Sequence, residues 1–136
     1  MNKEIHKIIL YADDDPDDRE LLTATLQELH PDYKIIPAGN GKEAIKKLKE
    51  LMAKNIKPCL IVLDMNMPML NGKETLEIIK SNPDWSGLPV AIFTTASSKM
   101  YKDLMEKYGI PVITKPAKFK TMVNEVAQLL SCCSRC

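Results

Sequence analysis

Five short apolar runs are spaced along the chain, and a segment with a helical pattern follows each of them. The runs cover residues 8–12, 34–36, 59–64, 89–95 and 111–114. The third and fourth runs are almost continuously apolar, which is typical of strands buried on both faces of a parallel sheet. Strands that alternate with helices favour such a sheet with helices on both faces. The sequence therefore predicts an α/β fold with a doubly wound, five-stranded parallel sheet.

The segments between the runs place apolar residues at the three- and four-residue spacing of amphipathic helices. The predicted helices cover residues 16–30, 41–55, 72–80, 98–108 and 119–130. No repeat, low-complexity linker or change of composition marks a second domain. We therefore expect a single domain for residues 1–136, with a core at about residues 5–131 and a cysteine-rich tail at residues 132–136.

Composition and charge exclude several classes of protein. Hydrophobic residues make up 45% of the 136 residues, which is enough for a packed core, and the net charge is +1. A near-neutral chain has no global field that attracts nucleic acid or lipid, and no apolar run approaches the roughly 20 residues of a membrane span. Glu43 and Glu50 are interleaved among the lysines of residues 42–57, which is typical of a solvated helix face. We expect a cytoplasmic monomer or weak dimer without nucleic-acid or membrane partners.

Three of the four cysteines lie in the last six residues, "SCCSRC", and the fourth is Cys59. The tail has C-x-x-C spacing, but a zinc site needs about four ligands and no second Cys or His pair is present. Its last four residues also have the outline of a prenylation box but lack the aliphatic pair of that motif. We expect a frayed tail with free thiols.

Polar residues stand at the carboxyl ends of four of the predicted strands. In open α/β sheets, ligands bind beyond these ends. One aspartate after a strand is commonly a helix cap or a turn former, whereas one polar group at each of several strand ends indicates a site. The residues are Asp13 and Asp14 after the first run, Asp64 at the end of the third, Thr94 and Thr95 in the fourth, and Lys115 after the fifth.

These residue types suit phosphoryl transfer to a carboxylate. Crowded carboxylates need a compensating positive charge, and all-oxygen ligands favour a hard divalent cation such as Mg²⁺. One carboxylate then acts as the nucleophile toward phosphorus. An amine from Lys115 and a hydroxyl from Thr94 neutralise and bind the phosphoryl oxygens.

The stretch "DDDPDD" at residues 13–18 divides into separate roles. Pro16 suits the first position of a helix, which makes Asp15 the N-cap. Negative charge at residues 17–18 then favours the helix dipole. Asp13 and Asp14 remain for the metal, and in the alternative register Asp15 replaces Asp13 as a ligand.

Four ordered motifs resemble the receiver domain of two-component response regulators over nearly the whole chain. They are "ILYADDDPDDRELL", "LIVLDMNMPMLNG", "PVAIFTTAS" and "ITKP". The resemblance implies a flavodoxin-like strand order 2-1-3-4-5 with five helices. It also implies that Asp64 is the phosphoacceptor. Asp13, Asp14, Asp64 and the main-chain carbonyl of Asn66 would hold Mg²⁺.

The resemblance assigns the remaining site positions as well. Thr94 would contact the phosphoryl group, Lys115 would pair with its oxygens, and the peptide before Pro116 would be cis. Gly72 suits a tight turn. Many receivers carry Tyr or Phe three residues before the lysine, and the chain departs from that pattern at Val112.

The implied function is a switch rather than an enzyme with a separate substrate. A histidine kinase or a histidine phosphotransfer protein would donate the phosphoryl group, and the chain would catalyse its own phosphorylation and slow dephosphorylation. The surface formed by the fourth helix, the fifth strand and the fifth helix would then change and control a partner protein. Two alternatives are an intermediate in a phosphorelay and a segment of a longer protein.

Two further function classes fit the sequence less well. Phosphohydrolases of the haloacid-dehalogenase type use a D-x-D motif, whereas this chain has Asn66 at the second acidic position. A pseudo-receiver that never takes phosphate is disfavoured by the intact Asp64, Thr94 and Lys115.

Overall fold

The chain alternates strands and helices in a computed structural model that describes residues 7–95, 103, 106–116 and 122–133. Residues 103 and 106–108 are helical and are labelled α4. The other elements are β1 (Lys7–Ala12), α1 (Pro16–Leu29), β2 (Tyr33–Ala38), α2 (Gly41–Ala53), β3 (Leu60–Leu63), α3 (Gly72–Ser81), β4 (Val90–Thr94), β5 (Val112–Thr114) and α5 (Val123–Leu130). The predicted helices at 98–108 and 119–130 lie partly outside the described residues.

The five strands form one parallel sheet in the order β2-β1-β3-β4-β5, which confirms the predicted topology. Ala12 at the end of β1 pairs with Leu63 at the end of β3. Thr94 at the end of β4 pairs with Thr114 at the end of β5. Because parallel strands run in one direction, the residues that follow these strands meet at one edge of the sheet.

Helices cover both faces of the sheet, and alternate strand residues point to opposite faces. The face under α1 and α5 buries Ile9, Tyr11, Leu22, Leu26, Val62, Phe93, Ile113, Val126 and Leu129. The face under α2 and α3 buries Leu10, Ala44, Leu48, Ile61, Leu63, Leu76, Ile79 and Ile92. Both faces of the central strands are therefore buried from solvent, which explains why these strands are continuously apolar. None of the helices in the described part of the chain has the length and apolarity needed to cross a membrane.

Asp15 is the N-cap of α1, as predicted. Its Oδ1 accepts hydrogen bonds from the backbone N–H groups of Asp17 at 2.9 Å and Asp18 at 3.4 Å. Pro16 occupies the first helical position, where the missing amide hydrogen leaves no bond unmade. β1 ends at Ala12, directly before Asp13, so the later strand end that the alternative register requires is wrong.

The prediction of free thiols in the tail is wrong for Cys133. Cys59 and Cys133 form a disulfide with a Cα–Cα distance of 5.0 Å, whereas Cys132 is free. Cys59 immediately precedes β3, and the chain after α5 returns to the same edge of the sheet. The pairing joins residues 74 positions apart, so cysteine spacing alone could not predict it. Cys136 lies outside the described residues.

Gly72 begins α3 at a point where the chain packs against the end of β3. A Cβ atom at this position would lie 2.4 Å from the carbonyl oxygen of Asp64 and 2.8 Å from Cα of Met65. The Gly72 N–H also donates a 3.1 Å hydrogen bond to the carbonyl oxygen of Met65. Close approach of backbone, and not the tight turn that we predicted, is therefore the reason for glycine here.

Gly72→Ala should destabilise the protein by about 1–3 kcal/mol or more, because the added methyl group would force the backbone at Asp64 to move. The free energy of unfolding in urea measures the effect. Gly87→Ala is the matched control, since a Cβ atom there meets nothing within 4 Å. Equal stability of the two variants would contradict the steric argument.

Candidate functional site

The polar residues predicted for the strand ends converge at one edge of the sheet. Asp64 donates its backbone N–H to the carbonyl oxygen of Ala12 at 3.0 Å, which places it beside Asp13. The Lys115 N–H donates to the carbonyl oxygen of Thr94 at 2.9 Å. The side chains of four of them are buried, and the sheet register alone brings them together. These four are Asp13, Asp64, Thr94 and Lys115.

Three carboxylates form a compact cluster that fits a hard divalent cation. Asp13, Asp14 and Asp64 each offer a carboxylate oxygen, and these oxygens lie within 4.8 Å of one another. Asp13 and Asp64 are buried, whereas Asp14 is exposed. The donors are all oxygen, as Mg²⁺ prefers. Asn66 lies beside the cluster, with its backbone N–H 3.5 Å from Oδ1 of Asp64.

Lys115 is the cation within this cluster. Its Nζ lies 2.7 Å from Oδ2 of Asp13 and 3.2 Å from Oδ2 of Asp64, and it is almost fully buried. Burial alone would lower the pKa of Lys115, but hydrogen bonds to Asp13 and Asp18 outweigh it and raise the pKa above its ordinary value. The ammonium group therefore stays protonated and is held beside the carboxylates of Asp13 and Asp64.

Asp64 has a pKa that is raised above its ordinary value. Burial is the main cause and the charge of Asp13 adds to it, while Lys115 opposes the shift. A raised pKa means that the ionised carboxylate is poorly stabilised here. Further positive charge near Asp64, from a metal ion, would stabilise the ionised carboxylate.

The Thr94 hydroxyl is buried near Asp64, where it lowers the pKa of that carboxyl and so opposes the effect of burial. Its oxygen has no hydrogen-bond partner among the residues that the structure describes. Thr95, the next residue, is exposed. A buried hydroxyl without a partner is costly, so its position suits a ligand that accepts a hydrogen bond.

Asp18 contacts the site, although the sequence indicated only a helix-dipole role for it. Its Oδ2 lies 2.8 Å from Nζ of Lys115. The first turn of α1 faces the carboxyl edge of the sheet because Asp15 caps the helix there. The available sequence signal was its position three residues after the N-cap Asp15, in the first turn of α1.

Tyr11 is the second site residue that sequence reasoning missed, because it lies within an apolar run. Its hydroxyl donates a 2.6 Å hydrogen bond to Oδ2 of Asp13, and both side chains are buried. Burial, together with the charge of Asp13, raises the pKa of Tyr11 far above its ordinary value, so the phenol remains a donor. The period of two along a strand, which puts residues 11 and 13 on one face, was the available signal.

Two features of β5 and of the residues directly after it test predictions that the resemblance implied. The described residues contain no cis peptide bond, so the prediction of a cis bond before Pro116 is wrong in this structure. Val112 is partly buried and packs against the core under α2 and α3. The side chain at this position is thus an aliphatic core residue in the place of the aromatic one.

The site occurs in a chain that matches a known family model. The model of the response regulator receiver domain matches residues 9–127. Response regulator Rcp1 from Synechocystis sp. is 30% identical over 125 residues, which are 88% of this chain and 84% of that protein. The crystal structure of the Mn²⁺-bound form of Rcp1 is similar with a TM-score of 0.79 at 29% identity, over 92% of each chain.

Two further relatives differ in how much of their own length this chain covers. The crystal structure of the phosphorylated cyanobacterial phytochrome response regulator RcpA is similar with a TM-score of 0.75 at 27% identity, over 93% of this chain and 87% of that one. A protein-glutamate methylesterase/protein-glutamine glutaminase from Bacillus licheniformis is 32% identical over 109 residues. These residues are 80% of this chain and 29% of the relative, which is much longer.

Proposed function

The chain belongs to the receiver-domain family of response regulators, and on this premise we propose that it is a signalling switch phosphorylated on Asp64. The observation that carries the proposal is the buried arrangement of Asp64, Asp13 and Lys115, beside a Thr94 hydroxyl that has no hydrogen-bond partner in the described part of the chain. Nucleophile, cation and hydrogen-bond donor are thus positioned before any phosphoryl group arrives. Such preorganisation is the main source of catalysis in phosphoryl transfer.

The phosphoryl group comes from a phosphohistidine of a sensor kinase or of a histidine phosphotransfer protein. An oxygen of Asp64 forms a bond to phosphorus while the bond from phosphorus to the histidine nitrogen breaks, and the histidine keeps that electron pair. Lys115 binds the transferred oxygens, and the Thr94 hydroxyl donates a hydrogen bond to them. Hydrolysis of the acyl phosphate by water later resets the switch.

Mg²⁺ is the cation that this carboxylate cluster suits. Asp13, Asp14, Asp64 and the main-chain carbonyl of Asn66 would hold it. When bound, the cation neutralises negative charge on the carboxylates and on the transferred group. The existence of a Mn²⁺-bound form of the related Rcp1 supports the proposal that this chain binds a divalent metal.

Phosphorylation is expected to change the surface formed by α4, β5 and α5. The backbone hydrogen bond from Lys115, which follows β5, to Thr94 of β4 joins the two residues that would bind phosphate, so new contacts to phosphate act on both strands. These contacts shift the population between two conformations and thereby control a partner protein. A role as a phosphorelay intermediate would use the same site without this output.

A small phosphodonor tests the proposal. Acetyl phosphate with Mg²⁺ should add one phosphoryl group to the wild-type chain, as seen by intact-mass spectrometry, and a chelator should prevent the addition. A chain that remains unmodified by acetyl phosphate and by several histidine kinases would instead be a pseudo-receiver.

Asp14→Ala should weaken Mg²⁺ binding by about tenfold or more, because even changes to groups behind metal ligands cost that much. Calorimetric titration with Mg²⁺ measures the affinity. Asp17→Ala is the matched control, since Asp17 is also exposed and lies in the adjacent first turn of α1. If Asp14→Ala binds Mg²⁺ as tightly as the wild type, Asp14 is not a ligand.

The cellular setting is part of the same proposal. We place the protein in the cytoplasm as a monomer or weak dimer, with a kinase or phosphotransfer protein upstream and an effector protein downstream, and with no nucleic-acid or membrane partner. Disulfides are rare in cytosolic proteins, so the Cys59–Cys133 bond runs against this location. Thiol counting on protein extracted from cells under alkylating conditions tests it.

A further inference from the structure

Tyr11 has a buried hydroxyl that the phosphoryl-transfer scheme leaves without a role. The hydroxyl donates a 2.6 Å hydrogen bond to Oδ2 of Asp13, and neither residue has exposed surface. We propose that Tyr11 is a positioning residue that orients the Asp13 carboxylate for the divalent cation. This inference rests on the proposed function, because it assigns Tyr11 to the metal site of that function.

Besides Lys115, two neutral donors hold the Asp13 carboxylate, one on each of its oxygens. Tyr11 holds Oδ2 from the strand side, and the backbone N–H of Asp15 donates to Oδ1 at 3.0 Å. Two such bonds oppose rotation of the carboxylate about the Cβ–Cγ bond. The Asp13 oxygen that lies within 4.8 Å of one carboxylate oxygen each of Asp14 and Asp64 is therefore preoriented.

Tyr11 differs from Lys115 in the way it can hold this carboxylate. Nζ of Lys115 also lies 2.7 Å from Oδ2 of Asp13, but its positive charge competes with a cation and is needed by the phosphoryl group. The phenol of Tyr11 is a neutral donor, so its hydrogen bond is compatible with a cation on the same carboxylate. Hydrogen bonds to ligating carboxylates commonly set metal affinity.

The ring of Tyr11 is held by packing that does not involve its hydroxyl, so a substitution can remove the hydroxyl and leave the packing in place. It packs against Phe93 with ring centroids 6.1 Å apart, within the core under α1 and α5. Tyr11→Phe keeps this packing and removes only the oxygen atom.

Tyr11→Phe should raise the Mg²⁺ dissociation constant about tenfold in a calorimetric titration, without any phosphodonor present. The Mg²⁺ concentration for half-maximal phosphorylation by acetyl phosphate should rise by the same factor. The rate at saturating Mg²⁺ should stay within about twofold of the wild type, because the bound cation then orients Asp13 itself. If Tyr11 only stabilised the fold, its substitution would not change the Mg²⁺ affinity while leaving the rate at saturating Mg²⁺ unchanged.

Tyr33→Phe is the matched control, because Tyr33 begins β2 at the opposite edge of the sheet. It should leave Mg²⁺ affinity unchanged. If wild type binds Mg²⁺ and Tyr11→Phe binds it equally well, the inference on Tyr11 is overturned while the proposed function stands. If the wild type binds no Mg²⁺, both the metal site and the inference fall. A lower rate at saturating Mg²⁺ with unchanged affinity would also overturn the positioning role.

Discussion

Asp64→Asn should reduce phosphoryl incorporation from acetyl phosphate by roughly a thousandfold or more, the order of loss when a nucleophile is removed. The amide of asparagine lacks the negative oxygen that attacks phosphorus, while its size preserves the packing at the end of β3. Intact-mass spectrometry after a timed incubation measures the result. Treatment with hydroxylamine, which cleaves acyl phosphates, should remove the label from the wild-type protein.

Asp84→Asn is the matched control for this substitution. Asp84 is exposed and lies in the connection between α3 and β4. This connection leads to the amino end of β4, which is opposite to the carboxyl edge where Asp64 lies. It should accept phosphate at the wild-type rate. Labelling of Asp64→Asn at that same rate would mean that another carboxylate, with Asp13 the nearest candidate, is the acceptor.

The same Asp64→Asn variant should be more stable than the wild type at neutral pH. Because burial raises the pKa of Asp64, the native state binds its proton more tightly than the unfolded state does. The contribution of Asp64 to stability is therefore present below its unfolded-state pKa and is lost as pH rises through the native pKa. The stability gain in the variant should vanish toward acidic pH, as urea unfolding at several pH values would measure.

Lys115→Ala should accept phosphate on Asp64 but fail to switch. The carboxylate nucleophile and the metal ligands remain, whereas the ammonium group that links phosphate to β5 is removed. Amide chemical shifts of β5 and α5, recorded with and without beryllofluoride as a phosphoryl mimic, measure the conformational change. Wild-type shift changes in the variant would contradict the coupling role of Lys115.

Lys115→Ala should also lower the free energy of unfolding by about 3 kcal/mol without Mg²⁺, because it leaves the buried carboxylates of Asp13 and Asp64 without their cation. Mg²⁺ should restore much of this loss, since it supplies positive charge to the same cluster. Lys49→Ala is the control, because Lys49 is an exposed residue of α2 and its removal leaves the site unchanged. Equal Mg²⁺ dependence of stability in the two variants would contradict this electrostatic account.

Local sequence signals predicted much of the fold and most of the candidate site. The apolar runs and the helical spacing between them predicted the α/β alternation, and the Asp15–Pro16 pair predicted the start of α1. A parallel sheet brings the carboxyl ends of its strands to one edge. Strand assignment therefore predicted that Asp13, Asp64 and Lys115 lie at the same edge of the sheet.

Contacts between distant segments depended on the tertiary structure. The bond between Cys59 and Cys133 and the contact between Asp18 and Lys115 join segments that only the packed sheet brings together. Gly72 has its importance because the carbonyl of Asp64 passes beneath it, which no local propensity reports.

The sequence by itself determined the order of elements, the strand-end residues and the chemistry that they can perform, because these depend on residue type and on the period of the chain. The tertiary structure decided which side chains form hydrogen bonds and ion pairs, since a hydrogen bond such as that of Tyr11 to Asp13 depends on distances of a few ångströms. Residue types at strand ends define a class of site, and the packing around them determines how each group in it is oriented and charged.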